Sequence, residues 1–153
     1  MQTGVPTGCI VLHIPCLPDC DLSANRRRNR HYMEQAKDTA AERLNAGLML
    51  TQAKQVAWED ANPGIARSLF ALKDWEILPI PVDLHWKLYW PKGIRARDAD
   101  GCADLLKPWQ DAMIDLGWLE NDSPKYVRRV SYESVPSSSQ GPGMTLTIHQ
   151  AAG

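Results

Sequence analysis

The chain has 153 residues, of which 44% are hydrophobic and 23% charged, and its 17 lysine and arginine residues nearly balance its 18 aspartate and glutamate residues. This composition is typical of a globular domain and excludes disorder as the main state. At this length roughly 68–70% of the unfolded surface is buried on folding, so the core needs neither disulfides nor a structural metal. The sequence has no run of 18 apolar residues, and its N-terminus lacks the basic region and apolar run of a secretory signal. We therefore expect a cytoplasmic protein with no membrane partner.

The N-terminal half predicts one strand followed by helices. A short apolar run at Cys9–Ile14 ends at Pro15, which is typical of a strand. Helical spacing begins near Asn25, and one apolar face of this helix contains Met33, Ala36, Ala40 and Leu44. Gly47 interrupts the pattern, and a second, weaker helical pattern covers Leu48–Asp60.

The clearest strand of the sequence is Val82–Trp90, where apolar and polar residues alternate with a period of two. This pattern predicts one buried face, made of Val82, Leu84, Trp86, Leu88 and Trp90. A helix is predicted next, over Leu105–Leu116, with Asp104 as its N-cap and Pro108 in its first turn.

Two further strands are predicted at Tyr126–Val135 and Met144–His149, joined by a hairpin loop over residues 136–143. The order of elements is β, α, α, β, α, β, β. We therefore expect a single α/β (α+β) domain, in which two to three helices pack on a mixed sheet of about four strands.

Two carboxylates follow the clearest strand at a spacing that suits a cation. Asp98 and Asp100 are two residues apart, so in an extended segment both side chains would point to the same side. Close carboxylates repel unless a metal or a basic group compensates for their charge. Mg²⁺ is the expected ion, with Mn²⁺ as an alternative, because it takes hard oxygen ligands and is usually held by one or two carboxylates.

Lys107 and Asp122 extend this candidate site. Lys107 is expected in the first turn of the following helix, where it could stabilise charge on a phosphate. Asp122 follows that helix, and about twelve helical residues carry the chain roughly 18 Å away. Asp122 can therefore reach Asp98 and Asp100 only if the loop that carries it runs back along the helix in a nearly straight path. Otherwise it serves the site of a partner subunit.

Simpler interpretations remain open at this point. An acidic pair in a loop is often a solvated surface or a helix cap. The basic run from Arg26 to Arg30 places four of the 17 basic residues within five positions. Such a run is often a solvated face as well, although it also suits a polyanion. The spacing of His13, Cys16 and Cys20 does not match a paired zinc motif.

The residues between Arg95 and Arg129 follow a specific order: R-x-D-x-D, then L-K-x-x-x-D-x-M, then N-D-S, at Arg97, Asp98, Asp100, Leu106, Lys107, Asp111, Met113, Asn121, Asp122 and Ser123. This order resembles the signature of the RusA-type Holliday-junction resolvases, especially those of phages and prophages. Two positions depart from it. Gly101 stands where the family has asparagine, and Asn121 replaces the first acid of the final pair.

The resemblance implies a RusA-like fold and a function. It implies that Asp98, Asp100 and Asp122 bind a divalent metal, Mg²⁺ or Mn²⁺, and that Lys107 is catalytic, while Asp111 is a matched structural position. The partners implied are a four-way DNA junction and a second copy of the chain, with paired symmetric nicks in recombination or repair. Residues 45–78 would be a helical insertion relative to the short cellular members.

Phosphate contacts are expected from the arginines of the basic run and of the signature region, which are Arg26, Arg27, Arg28, Arg30, Arg95, Arg97, Arg128 and Arg129. Two alternatives stay open. Gly101 loses an amide that could orient Asp100 or a metal-bound water, which favours a junction-binding protein whose cleavage has decayed. The same nuclease chemistry could also act on flaps or on ordinary duplex.

Overall fold

The computed structural model describes residues 9–19, 32–61 and 81–150. Within these residues the strands are β1 (Cys9–Ile14), β2 (Val82–Pro91), β3 (Val127–Ser138) and β4 (Gly143–Gln150), and the helices are α1 (Tyr32–Ala61) and α2 (Ala99–Asp115). Together they form a single small α+β domain with one mixed sheet, which confirms the predicted fold class.

The four strands lie in the order β1-β4-β2-β3. β4 runs antiparallel to both of its neighbours, with Leu146 opposite Leu12 on one side and opposite Trp86 on the other. β2 and β3 run parallel, with Trp86 opposite Tyr132. Because parallel neighbours cannot be joined by a tight turn, the chain passes from β2 to β3 through α2.

The core lies on one face of the sheet. The alternation predicted for β2 is confirmed, because the five residues of its apolar face are each at most 2% exposed: Val82, Leu84, Trp86, Leu88 and Trp90. α1 packs against β1, α2 packs against β3, and the two helices contact each other. The opposite face of the sheet carries partly exposed side chains such as His85, Lys87 and Glu133.

The prediction of two helices separated at Gly47 is wrong, because α1 is one helix of 30 residues that continues through it. A glycine costs a helix interior only about 1 kcal/mol relative to alanine. Burial of Ala46 and Leu50, both 0% exposed, outweighs this cost. Residues 45–61 of the predicted insertion therefore belong to α1, whereas its residues 62–78 lie outside the described residues, as do residues 25–31.

The apolar face predicted for this helix is not its core face. Leu44 is 74% exposed and Met33 is 62% exposed, whereas Ala46, Leu50 and Ala53 face the core. α1 thus has apolar residues on two sides, and periodicity alone selected the outer one.

The predicted hairpin over residues 136–143 is also wrong. β3 extends to Ser138 and β4 begins at Gly143, but the two strands lie on opposite sides of β2. Their connection therefore crosses the end of β2 instead of turning between adjacent strands.

None of the helices in the described residues is long and apolar enough to cross a membrane.

Gly141 allows this crossing, and its replacement tests the packing there. A Cβ atom at Gly141 would lie 2.8 Å from the carbonyl oxygen of Tyr89 and 3.2 Å from the backbone nitrogen of Pro91. Because both neighbours are backbone atoms, we expect Gly141→Ala to lower the free energy of unfolding by about 1–3 kcal/mol in urea denaturation. The exposed neighbour provides a control, since Ser139→Ala should change it by less than about 0.5 kcal/mol. Equal stability of the two variants would contradict the close approach.

Candidate active site

The first predicted acid, Asp98, is the N-cap of α2. Its backbone is extended (φ −72°, ψ 171°), and its Oδ1 accepts a hydrogen bond from the Gly101 amide at 2.9 Å. The Asp98 carbonyl accepts the first helical bond, from Cys102. α2 thus begins at Ala99, six residues before the predicted start, and Asp104 is not its cap.

This early start changes the geometry expected for the acidic pair. Asp100 lies in the first turn of α2 and not in an extended segment. Residues two apart in a helical turn do not face each other, so the argument that both carboxylates point to the same side does not hold. The positive end of the helix dipole favours both carboxylates, and both residues are exposed.

The rotation of α2 is fixed by its buried side. Trp109 is fully buried and meets Trp86 edge to face, with ring centroids 6.4 Å apart. The neighbouring Gln110 donates a hydrogen bond from Nε2 to the Tyr132 hydroxyl at 3.1 Å. With this side held against the sheet, Lys107 faces solvent in the third turn, and not in the first turn as predicted.

Lys107 lies between two carboxylates. Its Nζ atom is 2.9 Å from Oδ2 of Asp122 and 3.2 Å from Oδ1 of Asp111. The hydrogen bond to Asp122 raises the pKa of Lys107, and the contact with Asp111 adds to this effect. The same hydrogen bond lowers the pKa of Asp122. At neutral pH the pair is therefore an ammonium and a carboxylate.

The loop that carries Asp122 is ordered by local contacts. α2 ends at a turn in which Gly117 has a φ of +77° and the Trp118 amide donates to the Met113 carbonyl. The Trp118 side chain is buried against the core. Oδ1 of Asn121 accepts from the Ser123 amide at 2.9 Å, so the residue that departs from the family signature closes a local turn.

The fold brings Asp122 to Lys107 but does not bring it to the N-terminus of α2. Lys107 lies nine residues after Asp98, about 13.5 Å along the helix axis. Within residues 9–19, 32–61 and 81–150, no group of three or more histidine, cysteine or acidic side chains is close enough to hold a metal ion together. The roles of Asp98, Asp100 and Asp122 as common ligands therefore stay a prediction.

One face of α2 nevertheless carries a row of charged residues. Asp100, Asp104, Lys107 and Asp111 are spaced by four, three and four residues, which places them along a single helix face. This spacing is visible in the sequence, but the cap prediction for Asp104 and the structural role implied for Asp111 did not use it. Two carboxylates, those of Asp111 and Asp122, contact the Lys107 ammonium. Exposed carboxylate oxygens are donors that fit Mg²⁺, which needs only one or two of them and completes its shell with water.

The predicted arginines differ in their surroundings. Arg128 makes a bidentate contact with Asp83, with Nη2 to Oδ2 at 2.7 Å and Nε to Oδ1 at 3.2 Å. Arg95 and Arg129 are exposed. The Nε atom of Arg97 is buried and has no hydrogen-bond partner among the described residues. Arg26, Arg27, Arg28 and Arg30 lie outside the described residues.

A cavity of about 490 Å³ lies elsewhere, between α1 and the ends of β1 and β4. Its lining includes His13, Gln52, Tyr89 and Met144, and among the described residues it includes none of the predicted catalytic ones. The candidate active site is therefore the open, charged face of α2 and not this cavity.

Comparison with known proteins adds no relative. No protein-family model matches the chain, and no curated protein matches it in sequence. The resemblance to RusA-type resolvases therefore rests on the order of residues 95–129 alone.

The capping role of Asp98 can be separated from a catalytic one. Because asparagine caps a helix about as well as aspartate, we expect the free energy of unfolding of Asp98→Asn to lie within about 0.5 kcal/mol of that of wild type. Asp98→Ala has no side-chain acceptor for the Gly101 amide, so its free energy of unfolding should be about 1 kcal/mol lower than that of wild type. Urea denaturation measures both, and equal stability of the two variants would argue against the cap.

Proposed function

We propose that the chain is a Mg²⁺-dependent endodeoxyribonuclease that resolves four-way DNA junctions by paired symmetric nicks. It would act as a homodimer in the cytoplasm of a bacterial cell, encoded by the cell or by a phage or prophage, and would be related to the RusA-type resolvases. The observation that carries the proposal is the contact between Lys107 and Asp122. These two residues lie 15 positions apart, and the resemblance assigns them as catalytic lysine and metal-binding acid.

The chemistry follows from the charges on this face. When bound, Mg²⁺ or Mn²⁺ supplies Lewis-acid activation of a water and neutralises phosphate charge. In this proposal Asp98, Asp100 and Asp122 hold the ion, and Asp122 either leaves Lys107 to reach the first pair or completes the site of a partner subunit. The lowered pKa of Asp122 keeps its carboxylate ionised for that purpose. Lys107 stays protonated and would stabilise the negative charge that develops on the scissile phosphate.

Asp111 gives this lysine a second support. It lies one turn further along the same helix and contacts the Lys107 ammonium at 3.2 Å. The lysine therefore keeps a carboxylate partner when Asp122 binds another group. Asp111 would act as a positioning residue, in keeping with its place in the signature.

A junction-binding protein without cleavage is the second candidate, and Gly101 is the observation that favours it. The amide of Gly101 donates to the Asp98 cap, and a Cβ atom at this position would lie 3.1 Å from Oδ1 of Asp98. The glycine therefore suits a close cap but offers no side-chain amide to orient Asp100. A nuclease that cuts flaps or duplex is the third candidate.

Cleavage of a labelled synthetic four-way junction separates these candidates. Wild type, Asp100→Asn and Asp104→Asn are compared with Mg²⁺ or with EDTA, beside linear duplex and a flap. We expect paired, ligatable nicks only on the junction and only with metal. Asp100→Asn should abolish cleavage and retain binding, because it removes a ligand but leaves the basic residues in place. Asp104→Asn is the control, because Asp104 shares the helix face but lies outside the signature, and it should cleave.

The outcomes discriminate clearly. Junction binding without nicking by any form would support the decayed protein. Nicking of duplex or flap as fast as of the junction would support the third candidate. Equal loss of binding and cleavage in Asp100→Asn would contradict the role of Asp100 as a ligand.

Junction binding should depend steeply on salt. Each phosphate contact contributes a slope of about −0.9 to the plot of log affinity against log salt concentration. Arg129 is exposed, whereas Arg128 already binds Asp83. We therefore expect Arg129→Ala to reduce the slope by about 1 and Arg128→Ala to reduce it by less. Fluorescence anisotropy over a salt series measures this, and a flat response in wild type would contradict binding through phosphates.

A further inference from the structure

The cavity beside α1 is large enough to hold part of an organic ligand. Its volume of about 490 Å³ lies within the range of about 300–1,000 Å³ that is usual for ligand sites. One wall comes from α1, and the other comes from the ends of β1 and β2, the start of β4 and the connection that precedes β4. The cavity is therefore a candidate binding site of its own, separate from the charged face of α2.

The buried part of the cavity lining is apolar and suits a flat ring. Ile14, Ala53 and Met144 line it and are each at most 5% exposed. Met49 adds a second thioether, and thioether sulfur makes favourable contacts with aromatic rings. Tyr89 adds an aromatic side chain, which is the kind of surface on which flat rings stack. Together these groups favour an aromatic ligand.

The outer part of the lining offers hydrogen bonds without permanent charge. Gln52 and Gln140 are exposed there, and neither side-chain amide has a hydrogen-bond partner among the described residues. The lining found in the described part of the chain contains no lysine, arginine, aspartate or glutamate. A phosphate or carboxylate group would find no permanent counter-charge, so the part of the ligand inside the cavity is neutral.

A flat, neutral ring with hydrogen-bonding edges is a nucleobase, and the lining favours adenine among the four bases. Guanine is usually read by arginine or lysine, and cytosine by an acidic side chain. Adenine is read by glutamine or asparagine, whose amide donates to N7 and accepts from the N6 amino group. A lining with two glutamines and no charged side chain therefore matches adenine best.

The cavity and the start of α2 lie at the same end of the sheet. Tyr89 lines the cavity near the carboxyl end of β2, and the chain leaves that end at Pro91 to reach α2. Seven residues separate Pro91 from Asp98, so they lie at most about 25 Å apart. A DNA strand covers this distance in about seven nucleotides. The loop between them exposes two cations, Lys92 and Arg95, which complement the phosphates of such a strand.

We propose that this cavity is a nucleobase pocket, which receives one unstacked adenine from a DNA strand that passes the start of α2. The inference rests on the proposed function and adds sequence recognition to it. Taking a base out of the stack costs least where it is already unpaired, as next to a strand crossover, and stacking on an aromatic side chain offsets part of that cost.

NMR of the methionine methyl groups provides the first test. Met49 and Met144 line the cavity, whereas Met113 is buried in α2 outside it and serves as the internal control. Protein with ¹³C-labelled methionine methyls is titrated without metal with four probes. These are single strands of oligodeoxyadenylate, of oligothymidylate and of abasic DNA, all of one length, and adenosine.

We expect the oligodeoxyadenylate to shift the signals of Met49 and Met144 and to leave that of Met113 in place. Oligothymidylate should bind at least about fivefold more weakly, because it cannot make the paired hydrogen bonds with a glutamine amide. The abasic strand carries the same phosphates but no base, so it should leave both signals where they are. Adenosine should shift the same two signals with lower affinity, because it lacks the phosphates.

Leucine substitutions along α1 provide the second test. Ala53→Leu fills part of the cavity and should weaken oligodeoxyadenylate binding at least about tenfold. Gln52→Leu removes one amide at an exposed position and should reduce the preference for oligodeoxyadenylate over oligothymidylate. Ala40→Leu is the control, because it adds the same side chain at an exposed position outside the cavity, and it should change neither. Circular dichroism checks that each variant folds, and Gln52→Leu decides the matter if Ala53→Leu does not.

Four outcomes would overturn the inference. They are unshifted Met49 and Met144 signals with oligodeoxyadenylate, equal binding of the thymidylate or abasic strand, an unchanged preference in Gln52→Leu, and adenosine that binds as tightly as the strand. The last outcome would assign the cavity to a free nucleoside. Because the titration needs neither metal nor cleavage, failure of the proposed function is distinguishable. Metal-dependent junction cleavage without these shifts would remove only the pocket, whereas the shifts in a protein that cuts no DNA would remove only the nuclease.

Discussion

The parallel pairing of β2 with β3 is the constraint on which the candidate site depends. Parallel neighbours need a crossover, so α2 must return the chain from the end of β2 to the start of β3. With 17 residues α2 is about 25 Å long, which separates Asp98 at its start from the loop after its end. That loop recovers part of the distance by folding back along the helix, and Lys107 is where Asp122 makes contact.

Local patterns predicted the strands better than they predicted where the helices begin and end. The alternation of β2 is visible in consecutive residues, whereas its parallel partner lies about 46 residues further along the chain, as Trp86 and Tyr132 show. The start of α2 shows the difference, because Asp98 and Asp104 are both good cap residues. The segment before Asp98 is held by a hydrogen bond from the Ser134 hydroxyl to the Arg97 carbonyl, and this contact with β3 has no local signal.

The same limit applies to α1 and to the site. Periodicity found an apolar face at Met33 and Leu44, but it could not tell which of two apolar faces meets the core. Lys107 and Asp122 were singled out as members of a signature, while their contact depends on a loop anchored by the buried Trp118. Residue types could be assigned from the sequence, and distances between them could not, because a loop that folds back obeys tertiary contacts.

The exposed ion pair between Lys107 and Asp122 is weak enough for Asp122 to change partners. Ion pairs as open as Lys107 and Asp122 contribute at most about 1 kcal/mol, so Asp122 can leave the lysine at small cost while Asp111 retains it. Helix α1 is tied to the helix that carries this site, because Arg43 of α1 binds Asp115 at the end of α2.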